Sequence, residues 1–420
     1  MIYQRVKGTH DILPAESAKW QYLEKFIRDY LHRNNYQEIR TPAFEVTELF
    51  TRSIGTDTDV VAKEMYTFFD KGQTSLTLKP ELTAPVMRAF LQNNMEQVAP
   101  LTKVYYIDAL FRQERPQKGR LRQFHQFGYE IIGSAYPETD AEVIQTIYEL
   151  YRELGISDLQ VRINSIGSRS ARQRYLELLK QALQPHAAAF CSTCRERLTR
   201  NVLRLFDCKV ASCQALLDAR APFLIDHLDQ QDREHFAEVC RLLETVQVPY
   251  LLDKKLVRGL DYYSRTTFEI TSGLLGSQDA LCGGGRYDYL IADLGGKPTP
   301  GIGVASGMER VLLVLEQLKA FPESPSNLLY LIALGEMPRQ AGFQLLTALR
   351  KQGLCVEMDF LRRSLKAQLR DASRAQARWV IIMGEDELAR GQVILKRMSD
   401  GQQTPLNLPQ AADEIARLVQ

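Results

Sequence analysis

Apolar residues recur along this chain with two different periods, and the changes of period divide it into elements. Trp20, Leu23, Ile27, Tyr30 and Leu31 repeat at helical spacing after Ser17, a residue suited to cap a helix, so an amphipathic helix is expected over 18–33. Runs at 65–70 and 74–79 flank Lys71-Gly72-Gln73 and predict a hairpin, after which Pro80 opens a helix to about Asn93. Segments 104–112 and 124–133 are rich in aromatic and branched residues, which predicts two antiparallel strands. Residues 113–123 between them are polar and basic, a length that hairpins seldom use without a functional reason. Helical periodicity returns at 139–152 and 168–183, on either side of a strand-like 159–164. Residues 185–250 differ in texture, with five cysteines, many charges and mostly helical spacing, before 268–271, Gly283-Gly-Gly and a helix over 304–318 resume the earlier style.

This order predicts an α+β fold: a core formed by 1–184 and 251–321, an insertion at 185–250, a turn-rich linker at 322–327, and a C-terminal domain at 328–420. In that last domain short buried-type strands at 328–334, 355–360 and 379–383 alternate with helical stretches, as in a small α/β domain with a mainly parallel sheet. Composition sharpens this. A chain of 420 residues with 45% hydrophobic and 25% charged residues buries sizeable cores, which excludes disorder and fibres. No apolar run approaches the roughly 20 residues of a membrane helix, and the N-terminus lacks the apolar core of a signal peptide, so a cytoplasmic protein with no membrane partner is expected. The 53 basic and 51 acidic side chains nearly cancel, so a nucleic-acid partner has to be met by a local patch.

Common nucleotide motifs fail: Gly295-Gly-Lys-Pro-Thr lacks the P-loop spacing, and Gly301-Ile-Gly-Val-Ala-Ser-Gly307 lacks the Rossmann spacing. The charged segment Phe111-Arg112-Gln-Glu114-Arg115-Pro-Gln-Lys118-Gly-Arg120-Leu-Arg122-Gln-Phe124 stands out instead. An arginine at a strand end is rigidly held and its planar fork takes two phosphate oxygens, so this segment is either a phosphate clamp or a solvated hairpin. Cys191-x-x-Cys194, Cys208 and Cys213 are spaced either for a structural zinc ion or as free buried thiols. Arg362, Lys366, Arg370, Arg374 and Arg378 recur at four-residue steps, a basic face that is either solvated surface or an RNA contact.

Several of these segments together resemble the class II aminoacyl-tRNA synthetases. Arg112-x-Glu114, Phe124 and Gln126, and Gly307-Met-Glu309-Arg310 are similar to motifs two and three of that class; residues 36–51, around Pro42, are similar to its dimer-forming motif one. Lys7-Gly-Thr-His-Asp-Ile-Leu-Pro14, Glu114-Arg-Pro-Gln-Lys-Gly-Arg120, Arg258-Gly-Leu-Asp-Tyr-Tyr263 and Gly284-Gly-Arg-Tyr-Asp288 narrow the resemblance to the histidyl-tRNA synthetase family. The resemblance implies an antiparallel catalytic sheet, a C-terminal anticodon-binding domain, a homodimer, and the partners L-histidine, ATP with Mg2+, and histidine tRNA. It further implies that Arg112 takes the α-phosphate, that Arg120 and Arg310 take the γ-phosphate near Glu114, and that Phe124 and Arg310 enclose the adenine. Arg258 would be catalytic, between the substrate carboxylate and the α-phosphate. Glu81, Thr83 and Gln126 would meet the amino group of histidine, and Glu130, Tyr262, Tyr263 and Tyr287 its imidazole. Two positions depart from the family pattern, Leu82 and Tyr289. A rival of another class is the non-catalytic regulatory subunit of ATP phosphoribosyltransferase, which shares the core but generally lacks both the C-terminal domain and an intact Arg258-Gly-Leu-Asp-Tyr-Tyr263.

Overall fold

The computed structural model describes residues 3–55, 58–116, 119–276, 279–322 and 327–419. Lys118 of the basic loop and residues 323–326 of the expected linker lie outside the described residues. The chain divides into two compact units, Met1–Phe321 and Pro322–Gln420.

The first unit is built on an eight-stranded sheet. Its order from edge to edge is Gln37–Glu38, Thr102–Phe111, Gln123–Ile132, Gly301–Gly307, Ala280–Arg286, Ser264–Thr271, Gln160–Ser165 and Tyr250–Leu252. The six long strands pair antiparallel throughout, and the short edge strands pair parallel. Alternation assigns the two faces. Phe127, Tyr129, Ile131, Ile163, Phe268, Ile270, Ile302 and Val304 point into a core closed by the helices Pro14–Arg33, Pro137–Glu153, Gln230–Thr245 and Met308–Leu318. The intervening positions Gln126, Gly128 and Glu130, with Gly303 and Ala305 on the neighbouring strand, face the other way and form the floor of a cleft.

Several sequence expectations shift by a few residues, each for a physical reason. The first helix begins at Pro14 rather than at residue 18, because Pro14 presets the helical φ at the first position, and Ser17 donates to the Leu13 carbonyl instead of capping. The helix after Pro80 begins at Thr83, since the Glu81 carboxylate folds forward to accept from the N–H groups of Thr83 and Ala84. Val304 lies in a central strand, not in the helix expected from 304, because it pairs on both sides, with Tyr129 and with Gly284. The hairpin expected at 65–79 forms as Tyr66–Phe69 with Ser75–Leu78, and Phe44–Val46 joins it as a third strand. Phe44, Val46, Phe68 and Phe69 remain exposed on that small sheet.

Within the first unit the cysteine-bearing helices Ser192–Arg200 and Ala211–Arg220 share a core with Arg169–Leu183 and with Leu82, Tyr106 and Tyr262. Helix Gln230–Thr245 packs instead into the main core, through Phe236, Val239 and Leu243. The second unit has a five-stranded sheet in the order Val356–Met358, Leu329–Ala333, Trp379–Met383, Gln392–Arg397 and Gln403–Asn407. The first three strands are parallel, as expected, and the last two add an antiparallel extension that the alternation of strands and helices did not suggest.

Candidate active site

Two adjoining lobes lie on the open face of the large sheet and share Arg112, Gln126, Arg258, Gly283 and Ala305. The outer lobe is cationic. Arg112 follows the last residue of strand Thr102–Phe111 and is fixed by donation from Nε to the Pro80 carbonyl at 2.8 Å, with its guanidinium 5.4 Å from the Phe124 ring centre. Arg120 lies 3.2 Å from the Glu114 carboxylate and lines the lobe together with Arg310. Arg310, near the start of helix Met308–Leu318, donates to the Ala280 carbonyl at 2.6 Å; burial and then the like charge of Arg120 lower its pKa below the usual arginine range. These three arginines lining one lobe, one of them over an aromatic ring, make a site that favours a polyanion carrying a flat group.

The inner lobe is acidic and enclosed. Glu130 is buried and accepts from Thr83 Oγ1 at 3.0 Å, Tyr106 at 3.0 Å and Tyr287 at 2.6 Å. Burial pushes its carboxyl up to about 7, against the opposing pull of the Tyr287, Thr83 and Tyr106 hydroxyls. Glu81 is also buried, and its pKa is raised by that burial although the Ala84 and Thr83 N–H groups hold the ionised form. The Tyr262 hydroxyl lies 3.5 Å from Glu81, Tyr262 packs 4.7 Å from the Tyr263 ring, and Tyr287 meets Tyr262 edge-on at 5.9 Å. Neither glutamate is a surface carboxylate. Such a pocket suits a small cation or a polar ring, because a buried polar group on the ligand left without a partner costs about 1–3 kcal/mol and this lining offers carboxylates and hydroxyls to meet it.

Arg258 stands between the lobes. It donates to Glu269 at 2.8 Å, while its Nε is buried without a partner among the described residues. Burial works to lower its pKa, but the neighbouring Tyr263 and Glu269 hold it above the usual arginine range, so the group stays a firm cation. Gly283 makes room for it: a Cβ there would occupy the position of the guanidinium. Gly303 does the same for the Glu130 carboxylate.

Of the residues expected in the cleft, Glu81, Thr83, Tyr262, Tyr263 and Tyr287 line the inner lobe, Glu114, Arg120, Phe124 and Arg310 the outer one, and Arg112, Gln126 and Arg258 both; Glu130 lines neither and lies beneath the inner lobe, bonded to Tyr287. The sequence reading missed Tyr106 and Glu269. Tyr106 was legible as the residue opposite Gly128 once the strand register is set, and Glu269 as the alternate position beside the buried Phe268. It also gave Glu309 no part; that carboxylate accepts from the His125 backbone N–H at 2.9 Å and pins the helix that carries Arg310 to the sheet. Leu82 is buried at the start of its helix, and Tyr289 stacks on Arg169 outside both lobes, so neither departure alters the polar lining. Apart from the cleft, the sulfurs of Cys191, Cys194, Cys208 and Cys213 all lie within 4.8 Å of one another.

The comparisons with known proteins fit this arrangement. A family model described as histidyl-tRNA synthetase matches residues 8–311, and one described as an anticodon-binding domain matches 329–418. The chain belongs to the histidyl-tRNA synthetase family. It is 47% identical over 409 residues to a histidine–tRNA ligase of Desulfitobacterium hafniense, covering 97% of this chain and 96% of that one. It is 43% identical over 419 residues to that of Natranaerobius thermophilus, covering 100% of both. The apo histidyl-tRNA synthetase of S. aureus has the same fold, with a TM-score of 0.82 at 34% identity over 98% of this chain and 99% of the other.

Proposed function

We infer that this chain is a ligase that activates L-histidine with ATP and transfers it to histidine tRNA. The observation that carries the reading is Glu130, buried under three hydroxyl donors at the closed end of a cleft whose open end is lined by arginines. In the first step the histidine carboxylate attacks the α-phosphate and pyrophosphate leaves, so negative charge has to be balanced at both ends of the displacement. Arg112 and Arg258, which line both lobes, take the α-phosphate and the attacking carboxylate, and the unpartnered Nε of Arg258 suits an anion that arrives with the substrate. Arg120 and Arg310 take the γ-phosphate, and Phe124 with Arg310 encloses the adenine. Glu81, Thr83 and Gln126 hold the amino group. Glu130, with Tyr262, Tyr263 and Tyr287 around it, orients the imidazole.

Mg2+ usually binds through one or two carboxylates together with substrate phosphates; of the three lobe carboxylates Glu309 is engaged by His125, and Glu114 and Glu269 would share the ion, there to neutralise phosphate charge. The four clustered thiols fit a structural Zn2+, because the Cys191 N–H donates to Cys213 Sγ at 3.3 Å and the Val210 N–H to Cys208 Sγ at 3.4 Å, contacts that favour thiolates. A homodimer formed through the exposed Phe44, Val46, Phe68 and Phe69 is consistent with Phe44 and Val46 lying within residues 36–51 and Phe68 and Phe69 on the same small sheet. No helix among the described residues is long and apolar enough to cross a membrane, and the reading places the protein in the cytoplasm with its tRNA. Pyrophosphate exchange measured with each amino acid in turn tests the activity. Exchange should be fastest with histidine; a faster rate with proline, threonine or glycine, or none with any amino acid, would refute it.

A further inference from the structure

Polar contacts join the cysteine-bearing segment to the loop that carries Arg258, and the two lobes do not account for them. Arg204, in the turn Val202–Leu205, donates from Nη2 to the Gly259 carbonyl at 2.7 Å and from Nη1 to Asp207 at 2.9 Å. Its own carbonyl accepts from Arg197 at 2.9 Å. On the other side of Arg258, Lys255 donates to Gln214 at 3.1 Å and pairs with Asp218. Gln214 follows Cys213 directly and donates to the carbonyls of Cys208 at 2.5 Å and Phe206 at 3.2 Å. Residues 253–263 form neither helix nor strand. Asn164 donates to the Leu256 carbonyl at 3.0 Å, Arg172 to the carbonyls of Asp261 and Tyr263 at 3.1 and 3.2 Å, and Lys254 to Asp226 at 3.0 Å, so the ends of the loop are held from elsewhere, whereas the Gly259 carbonyl beside Arg258 is held by Arg204.

We propose that Arg204 is a positioning residue for adenylate formation, and that a zinc-class metal held by Cys191, Cys194, Cys208 and Cys213 fixes Arg204 and thereby places Arg258. The proposal rests on the ligase reading and on the role given there to Arg258. Arg204 grips a carbonyl one residue from Arg258, so a small shift in it moves the guanidinium that bridges the lobes. The ATP contacts of Arg112, Arg120 and Arg310 come from other elements and stay in place. The signature is therefore a fall in turnover without a matching fall in ATP binding.

The test uses the full chain in four forms: wild type, Arg204→Ala, Arg204→Lys and Cys208→Ser, with zinc per chain, thermal midpoint and histidine-dependent pyrophosphate exchange measured on each. Arg204→Ala should keep its zinc and its thermal midpoint while kcat falls roughly 10- to 100-fold, the scale of a misplacement of about 1 Å, with the KM for ATP little changed. Arg204→Lys, which retains one donor, should recover part of the loss. Cys208→Ser should lose the metal and at least as large a part of kcat, since the Gln214–Lys255 link goes with it, and adding Arg204→Ala to it should lower kcat no further, because the Arg204 contact is already lost. Turnover of Arg204→Ala within about twofold of wild type, or multiplicative losses in the double variant, would overturn the positioning role. Wild-type protein that exchanges with histidine but holds no zinc would overturn the metal's part. Wild-type protein that fails to exchange with histidine refutes the ligase reading itself, a result distinct from the others. Where Cys208→Ser does not fold, removal and return of zinc on the wild type takes its place, with recovery of kcat expected only on return.

Discussion

At the scale of single residues, the cleft depends on carboxylates kept where water would normally solvate them. Glu130 has a folded pKa raised to about 7 by burial, so the folded protein binds its proton more tightly than the unfolded chain does. The stabilisation this provides is complete below the ordinary glutamate range and is lost as pH rises through about 7, an effect of about 3 kcal/mol. Glu130→Gln cannot titrate and removes that dependence. The thermal midpoint of the wild type should therefore fall relative to Glu130→Gln as pH is raised from about 5 to about 8, and parallel curves would show that Glu130 does not titrate in this window. The same variant should weaken histidine far more than ATP. Glu130 and Gln126 were legible from sequence because period two puts alternate residues on one face. The depth of Glu130 was not legible, since it depends on Gly303 and Tyr106, which come from neighbouring strands.

At the scale of elements, the sheet supplies glycine and alanine where side chains must lie flat on it. Strand Gly301–Gly307 alternates Ile302, Val304 and Ser306 toward the helices with Gly301, Gly303, Ala305 and Gly307 toward the cleft, and Gly283 sits on the strand beside it. A Cβ at residue 283 would meet the end of a flexible arginine side chain rather than backbone, so Gly283→Ala should fold normally and displace Arg258. Adenylate formation should fall by roughly 10²- to 10³-fold with ATP binding largely intact, the scale seen when one transition-state donor is lost. Near-normal turnover in this variant, measured by pyrophosphate exchange, would remove Arg258 from the reaction. The cysteine cluster belongs to this scale too. Elemental analysis should find about one zinc per chain, and a chelator should loosen residues 191–213 before the sheet, seen as faster hydrogen exchange there first. Element types were read well from periodicity and their starts less well. The boundary at Thr83 is set by a carboxylate that folds forward, and the strand through Val304 by partners far away in sequence.

At the scale of the whole molecule, the division at Phe321 separates the residues proposed to hold the amino acid and ATP from those proposed to meet RNA. It was legible as a Pro- and Ser-rich stretch, whereas the hairpin that completes the second sheet was not, because short strands without a helix between them carry little periodic signal. Lys366, Arg370 and Arg374 lie on helix Leu365–Arg374 and are exposed, while Arg362 and Arg378 fall outside it, so the basic face is shorter than the four-residue spacing suggested. Arg374 pairs with Asp371, as Arg363 does, and so has less charge to offer a phosphate than Lys366 or Arg370. Cations that neutralise phosphates release counterions, and each one lost lowers the slope of log affinity against log salt by about 0.7 to 0.9. With Lys366, Arg370 and Arg374 changed together to Gln, pyrophosphate exchange should persist while tRNA binds more weakly and with a slope shallower by about two, mostly from the first two residues. The substitutions lie on exposed helix positions and should leave the thermal midpoint nearly unchanged. Unchanged tRNA affinity and slope would make this face solvated surface and require another face of the second unit to hold the RNA.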